Sequence, residues 1–181
     1  MSQETEKLRA EALQARREHR LQEAKQLLEE ALTHSRRSND DADLAATLTA
    51  LAQIERDLGN NEAALAQYEE ATAIFRNLNN LPKLAHTLRH VADVQRHLHL
   101  TPAADANYRE VLTLYRANRE TAPLELANAV RGYAILNQET GNFAEAKSLW
   151  QEARDLYAAV GIKEGIDESL RRLAPHSLKI P

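Results

Sequence analysis

Four of the seven histidines in this 181-residue chain fall between positions 86 and 99. His86, His90, Asp93 and His97 are spaced four, three and four, so a helix would carry them as one stripe. A histidine pair at i, i+4 can hold a transition metal, and a carboxylate can join it. The same rings would make their surface more basic below about pH 6.5, where an ordinary imidazole titrates. The plainer alternative is a polar helix face that happens to use histidine. Little else suggests chemistry. Cysteine is absent, which removes disulfides, thiolate ligands and thiol nucleophiles. There is no Gly-rich phosphate loop, no His-Glu-x-x-His and no nucleophile elbow. His34-Ser35 and His176-Ser177 are adjacent, but neighbours on a helix do not face each other. The expectation is a protein that is not an enzyme and uses no cofactor.

These side chains can act together only if regular elements hold them in place. The composition is 43% hydrophobic and 28% charged but only 4% aromatic. Alanine, leucine, glutamate, arginine and glutamine dominate, and they lose little rotamer freedom in a helix. No run of 18 apolar residues exists, and the polar start MSQETEKLRAEALQARR lacks the apolar core of a secretory signal. The expectation is therefore a cytoplasmic protein with no membrane partner. The formal charge of −4 speaks against a general nucleic-acid binder.

One pattern recurs along the chain. Gly59, Ala64, Tyr68 and Ala71 are matched in spacing by His99, Ala104, Tyr108 and Val111, and again by Gly141, Ala146, Trp150 and Ala153. His19, Ala24, Leu28 and Ala31 show it one period before the first of these. Ala12, Ala52, Ala92 and Ala134 share a second repeat position, where a small residue lets two helix backbones approach. Tyr68, Tyr108 and Trp150 would fill the space beside that contact. A period of this size means a stack of similar units, and such a stack is usually a surface for holding something. Apolar spacing and turn residues predict helices near 3–18, 21–36, 41–58, 61–77, 82–98, 102–118, 123–140, 143–159 and 163–173. Glycine closes a helix at Gly59 and Gly141, asparagine caps the next one, and Thr101-Pro102 reads as a cap followed by proline at the first helical position.

The spacing resembles the tetratricopeptide repeat. That family's helix pair runs large, large-small, glycine at the turn, small, aromatic, small. Here it reads Leu48, Leu51-Ala52, Gly59, Ala64, Tyr68, Ala71, and again Val130, Tyr133-Ala134, Gly141, Ala146, Trp150, Ala153. The third copy keeps Leu88, Val91-Ala92, Ala104 and Tyr108 but has His99 at the turn; the first keeps Leu8, Ala12, Ala24 and Ala31. The period is longer than the family's usual one, so the chain is similar to the longer-repeat branch that includes kinesin light chains and many bacterial proteins. The resemblance implies an all-α fold, a right-handed superhelical solenoid of antiparallel helix pairs. About four repeats, near 3–38, 41–80, 82–120 and 123–161, would be followed by a half-repeat capping helix at 163–174, all in a single domain over 1–181. The implied function is an adaptor or scaffold that holds a peptide or partner protein.

In that family the first helix of each pair lines the concave face. The resemblance therefore places Arg9, Leu13 and Arg16 there from the first copy, Gln53 and Arg56 from the second, and His86, Arg89, His90, Asp93, Arg96 and His97 from the third. The fourth supplies Asn128, Arg131, Ile135 and Gln138, and the half-copy Arg171. Arginine recurs at one repeat position as Arg9, Arg89, Arg131 and Arg171. Its planar fork of donors matches a carboxylate, which favours an acidic peptide partner. The alternative is a solvated face whose arginines pair with neighbouring acids. The family's Lys and Asn carboxylate clamp is not matched, because Thr49, Gln53 and Asp93 stand in its place. A second functional reading is a self-associating module, a homodimer through the incomplete C-terminal end. A third, a nucleic-acid groove, is weaker, since that face lacks aromatic residues for stacking.

Overall fold

The computed structural model describes residues 3–174. Among them are nine helices and no strand: α1 Gln3–Arg17, α2 Leu21–Arg37, α3 Asp41–Asp57, α4 Asn61–Asn77, α5 Leu81–His97, α6 Thr101–Ala117, α7 Pro123–Glu139, α8 Phe143–Ala159 and α9 Lys163–Leu173. Each bound lies within one residue of the stretch predicted from the sequence. No helix among the described residues is long and apolar enough to cross a membrane. The tail from Pro175 to Pro181, including the His176-Ser177 pair, lies outside the described residues.

The turns explain why the pattern repeats. Gly59 has φ of 84° and Gly141 of 80°, the left-handed conformation that ends a helix without a Cβ penalty. His19, Asn79 and His99 adopt it too, at φ of 60°, 51° and 57°. At Gly59 the closing bonds run from Gly59 N to Arg56 O at 3.0 Å and from Asn60 N to Glu55 O at 2.8 Å, and the same pair of bonds recurs at His19, Asn79 and Gly141. This turn closes α1, α3, α4 and α7, whereas α2 and α6 end on extended caps at Ser38 and Asn118.

Capping follows a different plan from the expected one. Asp40 accepts from the Asp43 amide and Asn80 from the Lys83 amide, so both cap their helices. Asn60 and Asn142 do not cap with their side chains; Asn60 instead donates to Glu55 Oε2 at 2.7 Å. Thr101 is not a cap either. It is the first residue of α6, which places Pro102 second. That position is equally tolerant, because the first four helical N–H groups lack intrahelical acceptors.

The helices fall into two compact units, α1–α5 and α6–α9, divided between Leu98 and His99. In the first, sequence neighbours pack on each other and α1 also touches α3. The recurring alanines lie in the seams: Ala12 and Ala24 with Leu28, Leu51 and Ile54 in one cluster, Ala52 and Ala64 with Tyr68, Val91 and Val94 in another. Burying a side chain as large as Tyr68 contributes on the order of 2–3 kcal/mol. In the second unit Tyr108, Tyr133 and Trp150 are buried, and α7 packs on both α6 and α8. Helix α9 approaches α8 closely at Gly165, where an added Cβ would lie 2.4 Å from the Tyr157 ring. Nothing in the repeat pattern marked that glycine.

Candidate partner-binding face

In the α1–α5 unit the odd-numbered helices carry the predicted cations, and each has a different surrounding. Arg9 is structural. Its Nη1 lies 2.9 Å from Asp43 Oδ1 and donates to the Thr47 hydroxyl at 3.1 Å. Asp43 is almost fully buried and also accepts from Ser35 Oγ at 2.8 Å. Removing a buried ion's partner is far costlier than losing an exposed pair, so Arg9 secures the α1–α2–α3 corner. Lys25 plays the same part for buried Glu55, at 2.8 Å, and this contact raises the lysine's pKa.

Arg16, Arg56 and Arg89 form a different arrangement. Arg16 donates to Asp57 at 2.7 Å and to Gln53 at 3.2 Å. Arg56 reaches the same Asp57 at 3.4 Å and places Nη1 3.0 Å from His90 Nδ1. Arg89 pairs with Asp93 at 3.1 Å and sets Nη2 3.1 Å from His90 Nε2. The His90 ring is buried, stacks on Tyr68 with centroids 5.3 Å apart, and meets His86 edge-on at 4.9 Å. Burial holds its pKa well below the usual 6.5, and Arg89, His86, Arg56 and Arg16 add to the shift. The Tyr68 hydroxyl is buried without a hydrogen-bond partner, and burial pushes its pKa up to about 12. Leu13 is exposed on α1, and Arg96 contacts His97 at 3.3 Å.

The histidine stripe does not gather into one group of ligands among the described residues. Both His90 nitrogens face guanidinium groups, and His97 Nδ1 lies 2.7 Å from the Asp93 carbonyl of its own helix. Among the described residues no group of three metal-ligating side chains converges. A helical stripe aligns Cα positions, but His90 turns into the core while His97 turns out to solvent.

The α6–α9 unit uses its predicted groove residues internally. Arg131 forms a two-pronged contact with Glu168, at 2.6 and 3.0 Å. Asn128 accepts from the Tyr157 hydroxyl at 2.8 Å. Gln138 accepts from Trp150 Nε1 at 3.3 Å, and the Arg172 guanidinium lies over the Trp150 ring. Arg171 donates to the Asp167 carbonyl of its own helix at 3.3 Å. Ile135, expected on the same face as Arg131, is buried.

The tetratricopeptide repeat model matches residues 5–77 and 43–117. The chain belongs to the tetratricopeptide repeat family. This is a fold generally used as a protein-interaction scaffold. Similar solved structures include BtubC (BKLC) from P. vanneervenii, at 18% identity and a TM-score of 0.73 over 97% of this chain and 82% of that one. A Podosopora anserina protein described as a putative kinesin light chain with nearly identical TPR-like repeats gives 17% and 0.74 over 96% and 95%. Rap protein complexed with Competence and Sporulation Factor gives 12% and 0.79 over 94% of this chain and 47% of that one. No curated protein matches the sequence. At these identities the likeness is one of fold.

Proposed function

We propose that this repeat protein is a non-catalytic interaction module whose α1, α3 and α5 side chains hold a segment of a partner protein bearing an acidic group. The observation that carries this reading is the cluster of Arg16, Arg56 and Arg89 around His90. Three guanidinium groups and two imidazoles meet there beside the carboxylates of Asp57 and Asp93. Such a surface draws an opposite charge and orients it on approach. Exposed Leu13 on α1 adds an apolar contact for the same segment. The complex of the similar Rap protein with a factor is in keeping with this class of partner.

Selection from a random peptide library on the full chain tests the proposal. Enriched peptides should carry an acidic residue at a constant position and perturb backbone amides of α1, α3 and α5. Peptides that perturb α2 and α4 instead, or the absence of any enriched peptide, would refute it. A second reading, self-association through α9, is supported by the exposure of Leu170. Light scattering that gives a monomer mass at every concentration would remove it.

A further inference from the structure

Four arginines in this fold meet an acid 34 to 37 residues further along the chain, on the next helix but one, like the rungs of a ladder. Arg9 meets Asp43, 34 residues on, and Arg36 meets Glu70, also 34 on. Arg116 meets Glu152 at 36, and Arg131 meets Glu168 at 37. Arg56 follows the same geometry, but the residue 34 positions on is His90. The rung is complete in shape and lacks its carboxylate.

The ring that stands there cannot satisfy both neighbours. A neutral imidazole has one N–H and one acceptor nitrogen. Arg56 approaches Nδ1 at 3.0 Å and Arg89 approaches Nε2 at 3.1 Å, both with N–H groups. In either tautomer, one of the two contacts sets a donor against a donor. Beneath the ring, the buried Tyr68 hydroxyl is a polar group with no hydrogen-bond partner. An unmatched buried polar group is costly, and folded proteins in general satisfy nearly all of them. Arg16 and Arg56 meanwhile share the carboxylate of Asp57.

We propose that Arg56 and Arg89, with His90 between them, form the seat for a single carboxylate supplied by the bound partner. This inference rests on the partner-binding reading above and assigns the acidic group its place. The carboxylate completes the missing rung: its oxygens take guanidinium N–H groups of Arg56 and Arg89. His90 is then free to use its N–H as a donor to the same anion. The Arg56 and Arg89 side chains are 27% and 12% exposed, enough for an anion to reach them from solvent and shielded enough for the contact to count.

Hexaglutamate, which offers a carboxylate in every register, is the probe, with hexaglutamine as the neutral control. Calorimetry on the full chain should show saturable binding of hexaglutamate to wild type. Arg56→Gln and Arg89→Gln should each weaken it roughly tenfold or more, and Arg131→Gln should leave it unchanged. His90→Glu supplies the missing carboxylate from within, so it should abolish the binding and raise the thermal midpoint by about 2–4 °C. Absence of binding to wild type, or wild-type affinity in Arg56→Gln and Arg89→Gln, overturns the proposal. If library peptides still map to α1, α3 and α5 in that case, the partner face stands and only the seat falls.

Discussion

Arg89 and Arg131 occupy the same repeat position in different units and have different fates. Arg131 finds Glu168 one repeat on and grips it with two hydrogen bonds. Arg89 pairs with Asp93 one turn on in its own helix and also leans on His90, which already carries Arg56 on its other nitrogen. The difference lies in the residues that face each arginine. In a stack of repeats, a recurring arginine marks a place where charge can be used. The side chain opposite decides how far the fold itself uses it, and in the proposed seat the remaining use of Arg89 falls to a partner. Arg9 adds a third case, in which the opposing acid is buried and the pair is structural.

Breaking the structural pair should produce the largest effect. Arg9→Ala strands the buried Asp43 carboxylate and should cost about 3 kcal/mol in the urea unfolding of the α1–α5 unit. A loss below about 1 kcal/mol would mean that Arg9 is as dispensable as a surface cation. Gly165→Ala comes next, because its methyl group collides with the Tyr157 ring. About 1–3 kcal/mol should be lost, and amide exchange should quicken in α9 while α1–α5 is unaffected.

The pH dependence sharpens the contrast at His90. Its folded pKa lies below the ordinary 6.5, through burial first and then the charges of Arg89, His86, Arg56 and Arg16. The unfolded chain therefore takes up the proton more readily, so stability from the neutral ring is complete above about pH 6.5 and is lost as pH falls toward the folded pKa. Wild type should weaken between about pH 7 and 5 more steeply than His90→Gln; equal slopes would contradict the assignment. Tyr68 works at the other end, since its folded value of about 12 exceeds the ordinary 10. Its contribution is present below pH 10 and fades as pH rises through 12. Smaller again, His99→Gly should stabilise by about 0.5–1 kcal/mol in thermal unfolding, because glycine takes the left-handed turn without a Cβ penalty. The mildest change is Arg131→Ala, whose partly exposed pair should be worth about 0.5 kcal/mol in a denaturant melt.

The helices were legible because turn chemistry and alanine spacing repeat together. Gly59 and Gly141 announced their turns, and Ala52 with Ala64 placed the seam beside Tyr68. The candidate face was legible only in part. Repeat position located Arg9, Arg89 and Arg131 but could not separate their roles, since each depends on an acid elsewhere in the chain, from the next helical turn to the next repeat. That signal was present as acids standing one repeat after arginines, and reading it would have singled out Arg56 and His90. Gly165 was beyond reach, because only the packed helices show the Tyr157 ring lying over it. The burial of Ile135 was missed because a face assigned by register ignores how deeply α7 is packed, between α6 and α8.

The most direct test observes the arginines themselves. In a titration of the isotope-labelled chain with hexaglutamate, the side-chain Nε–H signals of Arg56 and Arg89 should move and saturate together. Those of Arg9 and Arg131, each tied to a carboxylate two helices further along the chain, should stay in place. Movement of Arg131 in step with Arg89, or no movement at Arg56, would contradict the account.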